Sequence, residues 1–169
     1  MLNPIFAIFV ANSIPNGSVE IAGTAVTVFL LARILTELFA SRLLNNSSDR
    51  VRVWVTLIGM ILLSGLYFSY VFITSIEVLF IVQIMIGFGF GIFSPAKLAL
   101  FSANIDRGKE SSEWGLYDVV TLSGMACTAM LGGFVANKYG FQVIFVITAI
   151  MMLFGAIPYV FFTRRISND

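Results

Sequence analysis

The chain has 169 residues, 59% hydrophobic and only 11% charged, with a net charge of +1 and a mean hydropathy of +0.96. A soluble domain carries about 25% charged residues, so this chain has too few to cover a water-facing globule, and its excess apolar surface must face lipid. The balanced charge excludes a basic nucleic-acid footprint, and the absence of His removes the commonest metal ligand and general base.

Taken in order, the chain opens with a short apolar stretch, Ile5–Ala11, bracketed by Asn3, Pro4, Asn12 and Pro15. It reads as a partial helix over about residues 4–14, too short to span a bilayer. Residues 1–10 lack the basic start of a cleavable signal peptide. Asn16-Gly17-Ser18 matches a glycosylation sequon, but its plainer reading is a tight polar turn. Five apolar runs of membrane length follow, at roughly 21–44, 52–73, 78–101, 114–137 and 141–163. They do not alternate and are twice the length of a barrel strand, which excludes a β-barrel. The expectation is therefore a single all-α polytopic domain over residues 1–169, with five full spans and a partial first helix.

The second and third runs are separated by little more than Thr74, Ser75 and Glu77, which makes them a transmembrane hairpin. The third run carries Gly87, Gly89 and Gly91, then Pro95; the fourth carries Gly124, Gly132 and Gly133. Small residues let helix backbones approach closely in a bilayer, and Pro95 removes one backbone hydrogen bond and can bend its helix. The GxG spacing does not make a nucleotide loop, because no strand precedes it and no phosphate-binding Lys stands beside it. Between the third and fourth runs lies the polar linker 102–113, whose Ser111 and Ser112 are candidate caps for a helix beginning near Trp114. Glu113 suits the first turn of that helix. Cys127 lies inside the fourth run and reads as a small packing residue; a lone cysteine excludes a disulfide framework or a thiolate metal cluster.

Charge fixes the orientation. Arg42, Arg50, Arg52, Arg107, Lys109, Arg164 and Arg165 fall on one side if the spans alternate, against Lys138 alone on the other. The side with the basic excess is cytoplasmic. Connections 44–52 and 102–113 and the C-terminus are therefore expected inside a cell membrane, with 12–20, 74–77 and 137–140 outside. Trp54 and Trp114 then lie at the cytoplasmic interface, as an aromatic belt requires.

Four ionisable residues fall inside the spans: Arg33, Glu37, Lys97 and Asp118. Each costs roughly 2.5–3.5 kcal/mol to insert, so each should face protein or water. Arg33 and Glu37 share one helix face. At ~1.5 Å per residue, Arg33 lies about 18 Å, Glu37 about 24 Å and Lys97 about 28 Å below the outer surface, and Asp118 about 6 Å inside the inner one. All four share the cytoplasmic half, and two positive and two negative charges could neutralise one another. They are the candidate substrate, proton or gate residues. Their structural alternative is a self-paired cluster, with Lys97 snorkelling to the headgroups.

This layout resembles one six-helix half of a major facilitator superfamily transporter. The resemblance rests on a polar outer loop, a helix with Gly23, a basic inner turn, an outer hairpin, a glycine-rich helix ending near Pro95, a longer inner linker, a helix ending at Gly132-Gly133, and a Tyr139-Gly140-Phe141 turn. In that family the second and third helices are joined by a Gly-x-x-x-Asp-Arg-x-Gly-Arg type motif. The equivalent stretch here, Ala40 to Arg52, keeps Arg42, Arg50 and Arg52, with Asn45 or a displaced Asp49 near the acidic position. Gln83 stands where the family often has an Arg ahead of Gly-x-Gly. The Gly124 to Gly132-Gly133 pattern is similar to the family's antiporter motif.

The resemblance implies alternating access by two six-helix halves around a central cavity. The chain is then expected to be a half-transporter or fragment of a secondary transporter, with its first helix truncated. Its partners would be the bilayer, a small-molecule substrate, and a second six-helix half from the same or another chain. No cofactor or metal is expected. The alternative is a membrane protein with a structural or assembly role and no transport. An enzyme is the weakest reading, since no nucleophile stands beside a recognisable base.

Overall fold

Six α-helices, one 3₁₀ turn and short connections make up the described residues. The structure is a computed structural model that describes residues 3–166, with side chains described for residues 5–161. The short helix α1 covers Asn3–Ser13, and the long helices are α2 (Val19–Leu44), α3 (Asp49–Ser69), α4 (Ile76–Ala103), α5 (Glu110–Tyr139) and α6 (Phe141–Ile166). A 3₁₀ turn at Tyr70–Phe72 extends α3. Five of these segments are long and apolar enough to cross a membrane. Arg164 and Arg165 of the expected cytoplasmic tail lie outside the described side chains, and residues 167–169 outside the described structure altogether.

Local chemistry sets the helix ends. Asn16 takes a positive φ of 59°, Gly17 N–H closes the turn on the Ile14 carbonyl at 2.9 Å, and the Ser18 hydroxyl caps α2 by accepting from Ile21 N–H at 3.1 Å. The tight-turn reading of Asn16-Gly17-Ser18 thus has a physical basis, and α2 begins ahead of residue 21. Ser75 caps α4 in the same way through Val78 N–H. The start of α5 differs from expectation. It begins at Glu110 with Lys109 at the cap position, which makes no side-chain cap bond. Ser111 and Ser112 therefore lie inside the first turn, and the Ser112 hydroxyl donates back to the Lys109 carbonyl at 2.9 Å. The linker is instead tied by the Glu113 carboxylate, which accepts from Asp106 N–H, and by Glu110, which accepts from Gly108 N–H. Helix α4 runs on past Pro95 to Ala103, and α5 past Gly132 and Gly133 to Tyr139. Gly140, at φ 87°, makes the whole turn into α6.

The most extensive packing is between α2 and α4; α3 lies against α4 on one side and α6 on the other. The α2–α4 contact is a glycine contact. A β-carbon at Gly87 would sit 2.6 Å from the Phe29 carbonyl oxygen, and one at Gly91 2.6 Å from Thr36 Cβ. Gly89, on the opposite face, comes as close to Leu63 of α3. Across α3 and α6, the buried Ser64 hydroxyl donates to the Ala149 carbonyl at 2.8 Å. At the end of the bundle where α1 packs, Tyr70 stacks on Phe145 at 4.5 Å, with Phe9 4.9 Å from the same ring. Helix α5 differs from all of these: none of its residues is buried, and its main neighbour is α6.

Candidate functional site

The α2–α4 seam brings two of the four in-span charges together. Arg33 Nε donates to Glu37 Oε2 at 3.1 Å, one turn further along α2. Its second arm crosses to α4, where Nη2 meets Ser94 Oγ at 3.3 Å. The guanidinium also lies 5.7 Å from the centre of the Phe90 ring. The close approach at Gly91 makes this bridge possible, since the backbones of Arg33 and Glu37 both flank that glycine. Ser94 and Phe90 were not singled out by sequence reasoning. A signal was available: Gly87, Gly91 and Ser94 follow helical spacing, so a polar residue on the glycine face is aimed at whatever those glycines touch.

The pair is neither sealed nor free. Both side chains are 35% exposed, at the margin of the buried face that α2 forms with Ala25, Ala32 and Ala40. Half-exposed ion pairs contribute about 0–1 kcal/mol, so this one has room to break and re-form. Chemically, the arrangement offers a carboxylate able to carry a proton, a fixed cation beside it, and a hydroxyl on the neighbouring helix.

Lys97 and Asp118 do not join this network. Of the four charges, only Arg33 and Glu37 pair with each other among the described residues. Lys97 Nζ lies 5.5 Å from the centre of the Phe93 ring and 5.5 Å from that of Tyr117 on α5. Phe93 is one turn back along α4, so the side chain follows the helical Cβ tilt toward the α4 N-terminus. Asp118 is exposed on α5 and makes no ion pair among the described residues. Cys127 is likewise exposed rather than packed.

Of the glycines on α5, Gly132 meets only Ile5 Cδ1, at 3.0 Å, while Gly124 and Gly133 have nothing near their missing side chains. The packing role expected of Gly124 and Gly133 is thus not filled among the described residues, while the 11-residue α1 approaches α5 at Gly132. Gln83 is buried one turn before Gly87. Two hollows lie near the α5–α6 turn, away from the charges. One is lined by Ser13, Tyr70 and Tyr139, the other by Asn12, Gly133 and Asn137.

The turn between α2 and α3 is built around Arg52. Its guanidinium donates to the Leu44 carbonyl at 3.3 and 3.4 Å, to the Asn45 carbonyl at 3.1 Å and to Asp49 at 3.0 Å. A cation here satisfies carbonyls left open at the end of α2 and opposes the helix dipole. Asp49, not Asn45, supplies the acidic partner.

Five membrane-length helices, close glycine seams and an Arg33–Ser94 bond between α2 and α4 define a polytopic membrane protein. The chain belongs to the Major Facilitator Superfamily, whose family model matches residues 1–168. It is similar to the proton-coupled antiporter flippase LtaA of Staphylococcus saprophyticus, 22% identical over 163 residues covering 92% of this chain and 41% of the relative. The LtaA of Staphylococcus haemolyticus is 30% identical over 129 residues, 75% of this chain and 32% of the relative. That of Staphylococcus aureus strain USA300 is 26% identical over 136 residues, 80% and 34% respectively. The chain thus spans less than half the length of these curated relatives. No solved structure matches it.

Proposed function

We propose that this chain forms one half of a proton-coupled secondary transporter that moves a small molecule by alternating access, with Glu37 as the proton-carrying group. The observation that carries the reading is the Arg33–Glu37 pair bridged to Ser94 across the α2–α4 seam. A carboxylate that exchanges its proton changes its hold on Arg33, and Arg33 makes a side-chain hydrogen bond across the α2–α4 seam. Proton binding at Glu37 thereby leaves Arg33, which reaches Ser94 on α4, free to change partners at the seam, and helices that rearrange are what alternating access requires. The relatives named proton-coupled antiporters support proton coupling, and Gln83 leaves α4 without a charge at the position where the family often has an Arg.

A second six-helix half, from the same chain or another, completes the cavity in this reading. The unburied length of α5, with Asp118, Gly124 and Gly133, is the surface that would receive it. The protein works in the cell membrane with connections 44–52 and 102–113 and the C-terminus in the cytoplasm.

The test is antiport in everted membrane vesicles carrying the protein, alone and with a six-helix partner half. A proton gradient is set up and reported by a pH-quenched dye, and candidate substrates are added. Dequenching that Glu37→Gln abolishes at unchanged protein level supports the reading. Dequenching of equal size in Glu37→Gln would remove Glu37 from the mechanism.

A further inference from the structure

We propose that Ser94 is a positioning residue for the proton step at Glu37, because it occupies one prong of the Arg33 guanidinium and leaves Glu37 the other. Ser94 plays this part only if Glu37 carries the proton, as proposed above. A planar guanidinium fixes its donors in direction. Nε and Nη2 lie along one edge, and a carboxylate that takes that edge side-on receives a hydrogen bond on each oxygen. In this protein the edge is divided. Nε donates to Glu37 Oε2 at 3.1 Å, one turn along the same helix, and Nη2 donates to Ser94 Oγ at 3.3 Å on the other helix.

The seam holds the hydroxyl at its prong. Ser94 is buried. A β-carbon at Gly91, just before it, would lie 2.9 Å from the Arg33 carbonyl oxygen and 3.0 Å from the Glu37 nitrogen. The backbones that carry the pair and the hydroxyl are thus in register while the seam is closed. Phe90, one turn before Ser94, sets its ring centre 5.7 Å from the guanidinium carbon. A ring there orients the cation and takes none of its strong acceptor bonds. The other charges nearby do not stand in for Arg33. Arg42 is five residues beyond Glu37, about 140° round the helix. Helix α1 carries no charged residue. Helix α4 carries Glu77 in its first turn and Lys97, whose ammonium lies 5.5 Å from the centres of the Phe93 and Tyr117 rings.

Dividing the edge has a consequence for the proton. A carboxylate held by one charge-assisted bond is easier to protonate than one held by two, because protonation gives up less. Removing the Ser94 hydroxyl leaves Nη2 without its acceptor, beside a carboxylate one atom away along the same edge. Side-on pairing of Glu37 with Arg33 then follows, and Glu37 takes its proton only at lower pH. Ser94 thus keeps the carboxylate loosely enough held to exchange its proton while the guanidinium stays attached to α4.

The test is a carboxyl titration by infrared difference spectroscopy, on the full chain in phosphatidylcholine vesicles. The C=O stretch of protonated carboxyl groups is followed as the pH is lowered, and the part of the signal that Glu37→Gln removes belongs to Glu37. Ser94→Ala should move the midpoint of that band down by about one pH unit, the lower end of what a well-placed arginine does to a carboxylate. Ser94→Cys keeps the size but not the oxygen acceptor; it should behave like Ser94→Ala and is the second probe if the alanine variant misfolds. Ser94→Thr keeps the hydroxyl and should leave the midpoint in place. A midpoint that stays or rises in both Ser94→Ala and Ser94→Cys overturns the role of Ser94 and leaves Glu37 as the proton carrier. An equal downward shift in Ser94→Thr assigns the effect to packing at the seam and overturns it too. If Glu37→Gln removes no band at any pH, Glu37 does not take a proton, and both readings fall.

Discussion

Arg33 and Arg52 spend their guanidinium groups differently, and single substitutions should separate the two. Arg52 makes four hydrogen bonds, three of them to carbonyls at the end of α2. Such bonds have no ready replacement, and hydrogen bonds to a charged group contribute about 1.5–3 kcal/mol. Arg52→Gln should lower the unfolding midpoint of the purified protein clearly, and Arg52→Lys should recover only part of the loss, because an ammonium lacks the planar fork. A thermal melt in detergent decides both. Arg33 instead holds a half-exposed carboxylate and one hydroxyl. Glu37→Gln keeps the shape and leaves Arg33 one polar partner on each helix, so the midpoint should move by no more than about 1 kcal/mol in free energy. A Glu37→Gln protein that fails to accumulate would show the pair to be structural. The transport reading requires the opposite combination, normal protein level with altered proton exchange.

At the level of helices, α4 is gripped on both sides. Gly87 and Gly91 are four apart and meet α2, while Gly89, half a turn round, meets Leu63 of α3. Helical spacing alone allows this to be read: alternate glycines on a helix point to opposite faces, so three of them imply two neighbours. Gly87→Leu should therefore cut the yield of monodisperse protein severely, since its β-carbon would press on the Phe29 backbone, which cannot swing aside. Gly124→Ala is the internal control, with nothing within 4 Å of the added carbon; size-exclusion profiles of the isolated chain should show the first change and not the second. The same comparison explains what the sequence left illegible. Gly124, Gly133 and Cys127 look like packing residues because small side chains in an apolar run usually are, but whether a helix has a neighbour depends on the length of another helix, here the short α1. Asp118 was expected near a charge for the same reason. Depth along a helix is legible in the sequence and rotation about the bundle is not, so residues of similar depth fall into one group although the main neighbour of α5 is α6. Ser64→Ala belongs to this scale too: its bond to the Ala149 carbonyl links α3 to α6, and interhelical bonds of this kind average about 0.6 kcal/mol, a small but measurable drop in midpoint.

For the whole molecule, some of the principal contacts follow a repeat. Exchanging helices α1–α3 with α4–α6 maps the α3–α6 contact on itself and the α2–α4 contact on α5–α1. The first two are extensive, and α5–α1 is slight, as expected when α1 has 11 residues and α4 has 28. Two such repeats inserted in opposite senses give a bundle with ends that differ in charge, and the difference sets its orientation in the membrane. Arg42, Arg50, Arg52, Arg107 and Lys109 lie at the end where α2, α3, α4 and α5 are joined by 45–48 and 104–109, and Lys138 lies alone at the other. Single cysteines at Ser47 and Ser75, each in a Cys127→Ser background that removes the exposed native thiol, test this directly. In intact cells an impermeant maleimide should label the Ser75→Cys protein and spare the Ser47→Cys protein, which should react only after the membrane is opened. Labelling of both from outside would break the alternation of α3 across the bilayer. The reverse pattern would keep the fold but turn the chain over, placing the basic connections outside against the positive-inside rule.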